Sequence, residues 1–318
     1  LCPQLRLTLS PVFSLPTLSL CLLTSSSLLF SPLFFLPLNP PASISSVSDL
    51  PKLKPSSIGT GFRDIAEALH KYHLIGTLGW QDVATRYRRS RVGAFWLTIN
   101  IAVMIGALGL VFGTIFGQPM REFLPFLAVG LIVWNFISSS INEGCTALSD
   151  ASGIVLQVKM PLWVHLARVM WKNLIILGHN LLIVPLVFLV FWRPVSPVAL
   201  LAIPGFILLV ANLLWIMMIV SVVCARFRDI TQIVTNAVQV LFYLTPVIWN
   251  AEIMANRVGT TLLYGNPFYS LMTIVRAPLL GDMPSALNWG IAAGMAVIGW
   301  TIALWFYGNR LKRVPYWL

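Results

Sequence analysis

Three arginines fall within four residues, Arg86, Arg88 and Arg89, and Arg91 follows them, making four arginines in six residues. A guanidinium is planar, permanently charged and carries paired N–H donors that match a phosphate, so this run could hold a phosphorylated ligand. A second reading is as physical: the same charges set a membrane topology or meet anionic lipid headgroups. The other polar groups of interest lie in apolar surroundings. Glu143 closes an apolar stretch, where its carboxylate can snorkel to the interface. His179 and Asn180 sit deep in another and read as hydrogen-bond formers between helices rather than as a proton relay. Cys2, Cys21, Cys145 and Cys224 are scattered, and no Cys/His group has zinc-ligand spacing. We expect neither a disulfide framework nor a metal.

Several chemistries are missing from the sequence. There is no G-x-x-x-x-G-K-[ST] phosphate loop, so nucleotide hydrolysis by that route is excluded. There is no G-x-S-x-G elbow and no H-E-x-x-H pair. Ion-coupled carriers bury carboxylates near the bilayer midplane, whereas the acidic residues here fall at the ends of apolar stretches or between them. A transporter of this composition therefore takes its driving force from a partner.

The elements that must position these groups are membrane helices. Only 10% of the 318 residues are charged and 58% are hydrophobic, against roughly 25% charged in a soluble domain. The net charge of +11 would suggest nucleic acid in a soluble protein. Here the cations flank apolar runs, so we expect no nucleic-acid partner. Six uncharged apolar stretches, 93–116, 123–141, 173–192, 198–223, 233–249 and 287–307, each approach the roughly 20 helical residues that cross a bilayer core. With the N-terminus inside, Arg86, Arg88, Arg89, Arg91, Lys159, Arg168, Lys172, Arg226, Arg228, Arg310, Lys312 and Arg313 are cytoplasmic. Arg121, Arg193, Arg257 and Arg276 lie outside. The positive-inside rule then puts both termini in the cytoplasm.

Two flanking regions differ. Residues 1–57 are rich in Leu, Ser, Pro and Phe, and prolines such as Pro11, Pro16, Pro32 and Pro37 interrupt every apolar run. We expect a disordered or artefactual low-complexity extension, with the native start near Val47 or Leu50. Residues 58–91 then form a unit of their own. Phe62, Ile65, Leu69, Tyr72 and Ile75 recur at helical spacing, which predicts an amphipathic helix lying in the membrane interface, followed by the basic cluster. Residues 92–318 make up the membrane domain. Within it, Gly265-Asn266-Pro267 breaks the apolar run 258–275 into pieces too short to cross. We read 251–281 as a pair of short re-entrant helices at the outer mouth of a path, where protein or water covers the broken backbone.

Five segments resemble the ABC-2 type transporter permeases, and among them the exporters of O-antigen and capsular polysaccharide. They are Leu78-Gly-Trp-Gln-Asp82 leading through Arg86-Tyr-Arg-Arg-Ser90 to Gly93-Ala-Phe-Trp96; Asn142-Glu-Gly-Cys145 with Val158-Lys-Met-Pro161; Ala225-Arg-Phe-Arg-Asp-Ile230; Leu244-Thr-Pro-Val-Ile-Trp249; and Asn266-Pro-Phe-Tyr269 with Arg276-Ala-Pro-Leu-Leu-Gly281. Arg91 and Val92 stand where the family more often has an aliphatic pair. The resemblance runs from about Phe62 to Leu318. It implies an all-α membrane protein with six transmembrane helices of ABC-2 type, an N-terminal interface helix and short re-entrant helices before the last span. It further implies a homodimer with two copies of a separate ATP-binding subunit, which carries ATP and Mg while this chain carries no cofactor. A coupling helix between the second and third spans would fall at 149–161, with Asp150, Gln157 and Lys159 as its polar contacts.

The expected function is the non-enzymatic permease half of an ATP-driven exporter in the bacterial cytoplasmic membrane, moving a lipid-linked polysaccharide. Arg86, Arg88 and Arg89 would receive the carrier's pyrophosphate. Phe112, Phe116, Trp134, Phe136, Phe242 and Tyr243 would offer flat apolar faces to sugar rings, with lipid-facing or core packing as the competing role. Alternatives are export of a drug or a teichoic-type polymer, a polytopic glycosyltransferase, which the scarcity of loop carboxylates disfavours, and a channel.

Overall fold

The computed structural model describes residues 58–88, 93, 95–192, 194, 196–249 and 265–318. The expectations for residues 1–57, for Arg89, Arg91 and Val92, and for 251–264 lie outside the described residues. Everything regular among the described residues is helical: α1 (Ile58–His70), α2 (Tyr72–Tyr87), α3 (Phe95–Phe116), α4 (Met120–Thr146), the single turn α5 (Ser152–Val155), α6 (Trp163–Leu181), α7 (Ile183–Val190), α8 (Ala202–Arg226), α9 (Asp229–Leu244), α10 (Pro267–Leu280) and α11 (Ala286–Arg310).

Five helical stretches are long and apolar enough to cross a membrane: Phe95–Phe116, Met120–Thr146, Trp163–Val190, Pro197–Arg226 and Ala286–Arg310. The third joins α6 and α7 through a break at Leu182. Pro185 accounts for it, because proline lacks an N–H and its ring crowds the carbonyl one turn earlier, that of Leu181. The stretch expected at 233–249 ends sooner than its hydropathy suggests. α9 has 16 residues, about 24 Å of helix, and stops where Thr245-Pro246 turns the chain away.

α4 is the central element. It buries Phe123, Leu127, Ile132, Trp134, Phe136, Ile137 and Ile141 and packs on α3, α6, α7, α8, α9 and α10. α3 stays peripheral, with most of its large side chains exposed, whereas α11 packs along α8, α1 and α10 and leaves Leu287, Val297, Ile298, Ile302 and Trp305 exposed. Glycine allows two close approaches to backbone, one between helices and one between a helix and a turn. The Cα of Gly205 in α8 rests on the carbonyl of Ile274 in α10, and that of Gly130 in α4 faces the carbonyl of Val247; a Cβ at Gly130 would lie 3.0 Å from that oxygen.

The N-terminal helices do not form one continuous element over 62–78. They break at Lys71, whose backbone leaves the helical region. α1 buries Gly61, Ile65 and Ala68 against α6 and α11, while Phe62, Leu69 and Tyr72 remain exposed. Asp64 fixes this docking. Its Oδ2 accepts from the Tyr307 hydroxyl (2.7 Å) at the end of α11 and from the Trp163 backbone N–H (3.1 Å) at the start of α6. Burial raises the Asp64 carboxyl above its ordinary range, and the two donated hydrogen bonds offset part of that rise.

Candidate functional site

Two polar features stand out in this apolar bundle. The first is a pair of uncharged polar stripes. In α9, Gln232, Asn236, Gln239 and Tyr243 are all exposed, and their spacing of four, three and four residues makes one helical line. Gln232 Nε2 donates to Asn236 Oδ1 at 3.1 Å. The neighbouring exposed line is apolar, Ile233, Ala237, Val240 and Leu244, and the packed face holds Val234, Val238 and Leu241. In α4, Asn135, Ser138, Ser139 and Asn142 recur at the same kind of spacing. Asn135 is exposed although its neighbours Trp134 and Phe136 are buried. Asn142 Nδ2 donates to Ser138 Oγ at 3.3 Å, and Asn142 Oδ1 has no partner among the described residues. α4 and α9 pack together. Amides and hydroxyls along two adjacent apolar helices are costly against lipid tails, and they suit a hydrated surface. The stripes carry no formal charge, so they offer hydrogen bonds to a neutral polar solute.

The second feature is a cleft of about 450 Å³ between α2, α6 and the chain that follows α4. Asp82, Thr85 and Arg86 enter it from α2, Asp150 from the segment after α4, and His165, Arg168 and Lys172 from one face of α6. Arg168 donates through Nε and Nη2 to both oxygens of Asp82, a bidentate pair that ties α2 to α6. Glu143 bridges two cations, with Oε2 2.9 Å from Lys172 Nζ and Oε1 3.6 Å from Arg86 Nη2. His165 is buried, and neither ring nitrogen has a partner among the described residues.

The structure separates the residues expected from sequence. Arg86 and Asp150 share the cleft, and Arg88 is exposed at the end of α2. Arg89 lies outside the described residues. Gln157 and Lys159 are exposed on the stretch after α5. The aromatic residues fall in three places. Trp134, Phe242 and Tyr243 form a chain with ring centroids 5.7 and 5.3 Å apart, and Phe268 joins at Trp134. Phe112 stacks on Phe116, which meets Phe123. Phe136 packs on Phe206. Of the six, Tyr243 alone belongs to a polar stripe. Asn180 accepts from Thr98 Oγ1 at 3.5 Å, bridging α6 to α3, and the His179 ring stays within its own helix, Nδ1 lying 2.8 Å from the Ile175 carbonyl oxygen.

At the opposite end of α4, two of the sequence segments meet. Asn266 Nδ2 donates to Thr245 Oγ1 at 2.8 Å. The buried Arg276 donates to the Pro246 carbonyl at 2.7 Å and lies 4.1 Å over the Phe126 ring. These contacts tie α10 to the turn that ends α9.

Sequence reasoning missed the polar stripes, although their spacing was visible. It also missed Lys172 and His165, which line the cleft beside Arg86, and Asp64 as a junction. The last two had no local signal, since Asp64 bonds to residues 99 and 243 positions away.

Five helical stretches long and apolar enough to cross a membrane define a multi-pass membrane protein. Residues 73–280 match the ABC-2 type transporter family, and the chain belongs to it. It is 28% identical over 217 residues to the O-antigen export system permease protein RfbA of Myxococcus xanthus, covering 67% of this chain and 83% of that protein. A protein of the same name from Klebsiella pneumoniae is 23% identical over 205 residues, covering 63% of this chain and 78% of its own length.

Proposed function

We propose that this chain is the membrane-spanning half of an ATP-driven exporter that moves a lipid-linked polysaccharide of O-antigen or capsule type out of the cytoplasm. The observation that carries the reading is the pair of neutral polar stripes on α4 and α9. A glycan is hydrated, uncharged over long stretches and rich in hydroxyls. A path for it needs amides and hydroxyls rather than fixed charges, and Asn135, Asn142, Gln232, Asn236 and Gln239 supply them. An apolar drug would be served poorly by such a surface. The names of the relatives support the same substrate class.

In this account α9 and the segment after it complete a sixth crossing, and α10 is one of the re-entrant helices at the outer mouth. α1 lies in the inner interface with Phe62, Leu69 and Tyr72 toward lipid. Two copies pair so that their stripes face one path. Both termini are cytoplasmic in the bacterial inner membrane, and two ATP-binding subunits, which hold ATP and Mg, dock against the 149–161 segment through Asp150, Gln157 and Lys159. Arg86, Arg88 and Arg89 meet the carrier's pyrophosphate, and Phe112, Phe116, Trp134, Phe136, Phe242 and Tyr243 include the rings that stack on sugars.

The test is substitution of Gln232, Asn236 and Gln239 by leucine. Leucine favours helix and lipid, so insertion and complex assembly should persist while polymer export falls at least about tenfold, a barrier of roughly 1.4 kcal/mol. Undiminished export by the assembled variant would remove α9 from the path and the main support for a glycan substrate.

A further inference from the structure

The cleft is neutral as it stands. Arg86, Arg168 and Lys172 balance Asp82, Asp150 and the nearby Glu143, yet the two ion-pair systems differ in kind. Both oxygens of Asp82 accept from Arg168 in a fork whose side chains are about three-quarters buried, 24% and 23% exposed. That fork holds α2 in place. Glu143 instead spans two cations from different helices: its Oε2 is in ionic contact with Lys172 at 2.9 Å yet accepts no hydrogen bond among the described residues, and Arg86 approaches Oε1 only loosely. Two oxygens set between Lys172 and Arg86 are what a phosphate would also present. His165 lies on the same face of α6 as Arg168 and Lys172, three and seven residues before them. It is 1% exposed, lines the cleft and leaves both ring nitrogens without a partner among the described residues. An imidazole buried in that way costs stability unless something in the cleft bonds to it.

We propose that this cleft binds the phosphate group of an amphiphile through Lys172, Arg86 and His165, and that Glu143 is an internal stand-in that holds the two cations until phosphate displaces it. The identity of the amphiphile as the glycan carrier rests on the export reading above; the site does not, because a phospholipid headgroup offers the same chemistry. Displacement has a mechanical consequence. Glu143 stands at the end of α4, seven residues before Asp150, so releasing it frees the stretch that leads into the 149–161 segment.

Binding is measured on the purified full-length chain in a phosphate-free maltoside detergent. The probes are a prenyl diphosphate, the prenyl alcohol of the same length, and phosphatidylglycerol. The wild-type chain should bind the diphosphate at least about tenfold tighter than the alcohol. Glu143→Gln should tighten diphosphate binding about fivefold or more, because the competing anion is gone. Lys172→Gln and His165→Leu should weaken it, the first by about tenfold. A misfolded variant cannot gain affinity, so the sign of the Glu143→Gln effect separates a stand-in from a structural glutamate. Unchanged or weaker binding by Glu143→Gln, or equal binding of alcohol and diphosphate, would overturn the proposal. If phosphatidylglycerol shows the same gain and binds tighter than the diphosphate, the phosphate site stands and its service to the export reading falls.

Discussion

At Asp64 one carboxylate joins three helices, and its environment makes a definite prediction. Its acceptor satisfies the hydroxyl of Tyr307, a fully buried tyrosine, and the N–H of Trp163. Asp64→Ala strands both donors and should cost about 1–3 kcal/mol, read as a lower unfolding temperature in detergent. Asp64→Asn keeps an acceptor and should cost less. The raised carboxyl also sets a sign. The folded state binds its proton more tightly than the unfolded state, so this group's contribution is complete below the ordinary aspartate range. It is lost as pH rises through the folded value. Wild-type stability should therefore fall across that interval relative to Asp64→Asn, and a pH dependence of the unfolding temperature that runs parallel for the two proteins would contradict it. A second prediction concerns the arginines. Replacing Arg86, Arg88 and Arg89 by glutamine should lower export while leaving the complex assembled, provided orientation is checked, since the same charges set topology. Full export in correctly oriented protein would reduce them to topogenic charges. At this scale the sequence was only half legible. The arginine run and Asp150 stood out, but Glu143, Lys172 and His165 are brought beside them only by tertiary packing. Arg168 meets a carboxylate 86 positions away, which no local pattern announces.

Hydropathy located the helices well because a bilayer demands long uncharged runs, and α3, α4, α8 and α11 fall on stretches read directly from sequence. It did worse where geometry rather than polarity ends a helix. α9 stops at Leu244 although the apolar run continues to Trp249, because Thr245 adopts extended backbone and Pro246 follows it. The break between α6 and α7 was likewise hidden inside the apolar run 173–192, with Pro185 as its sole signal, and α6 begins at Trp163, ahead of that run. The interface helix over 62–78 proved to be two helices meeting at Lys71, which a smooth apolar periodicity cannot reveal. Packing between elements yields a further test. Because the Gly205 Cα sits on the Ile274 carbonyl, Gly205→Val must push α8 and α10 apart, with a cost of at least about 1–3 kcal/mol for overpacking. The unfolding temperature should drop clearly, and an unchanged one would mean that α10 does not dock there. In the polar stripes the residue spacing was present in the sequence, but the amides lie within or beside stretches read only as uncharged and apolar, and the exposed face of α9 is what gives them a common direction.

The described helical bundle differs from one end to the other. One end gathers the cleft, the Asp64 junction and the C-terminal segment, where Arg226 lies 5.2 Å over the Trp317 ring. The other end holds the Arg276, Pro246 and Phe126 contact, and the stripes of α4 and α9 run between them. That arrangement suits an exporter loaded at the basic end and closed at the other. A reporter enzyme active only outside the cytoplasm, fused after Leu318, should be silent if the crossings are even in number; strong activity would refute the six-crossing account. Alanine at Asp150, Gln157 and Lys159 should loosen the ATP-binding subunit or uncouple its hydrolysis from export, measured by co-purification and ATPase rate. The most direct measurement reconstitutes the full chain with its ATP-binding subunit in vesicles loaded on one face with a lipid-linked glycan, and follows the appearance of glycan on the other face. The account predicts transport that requires ATP and the partner subunit, and that falls at least about tenfold when Gln232, Asn236 and Gln239 become leucine. Transport without the partner, or an assembled complex that hydrolyses ATP and moves a small apolar amphiphile but no glycan, would contradict it.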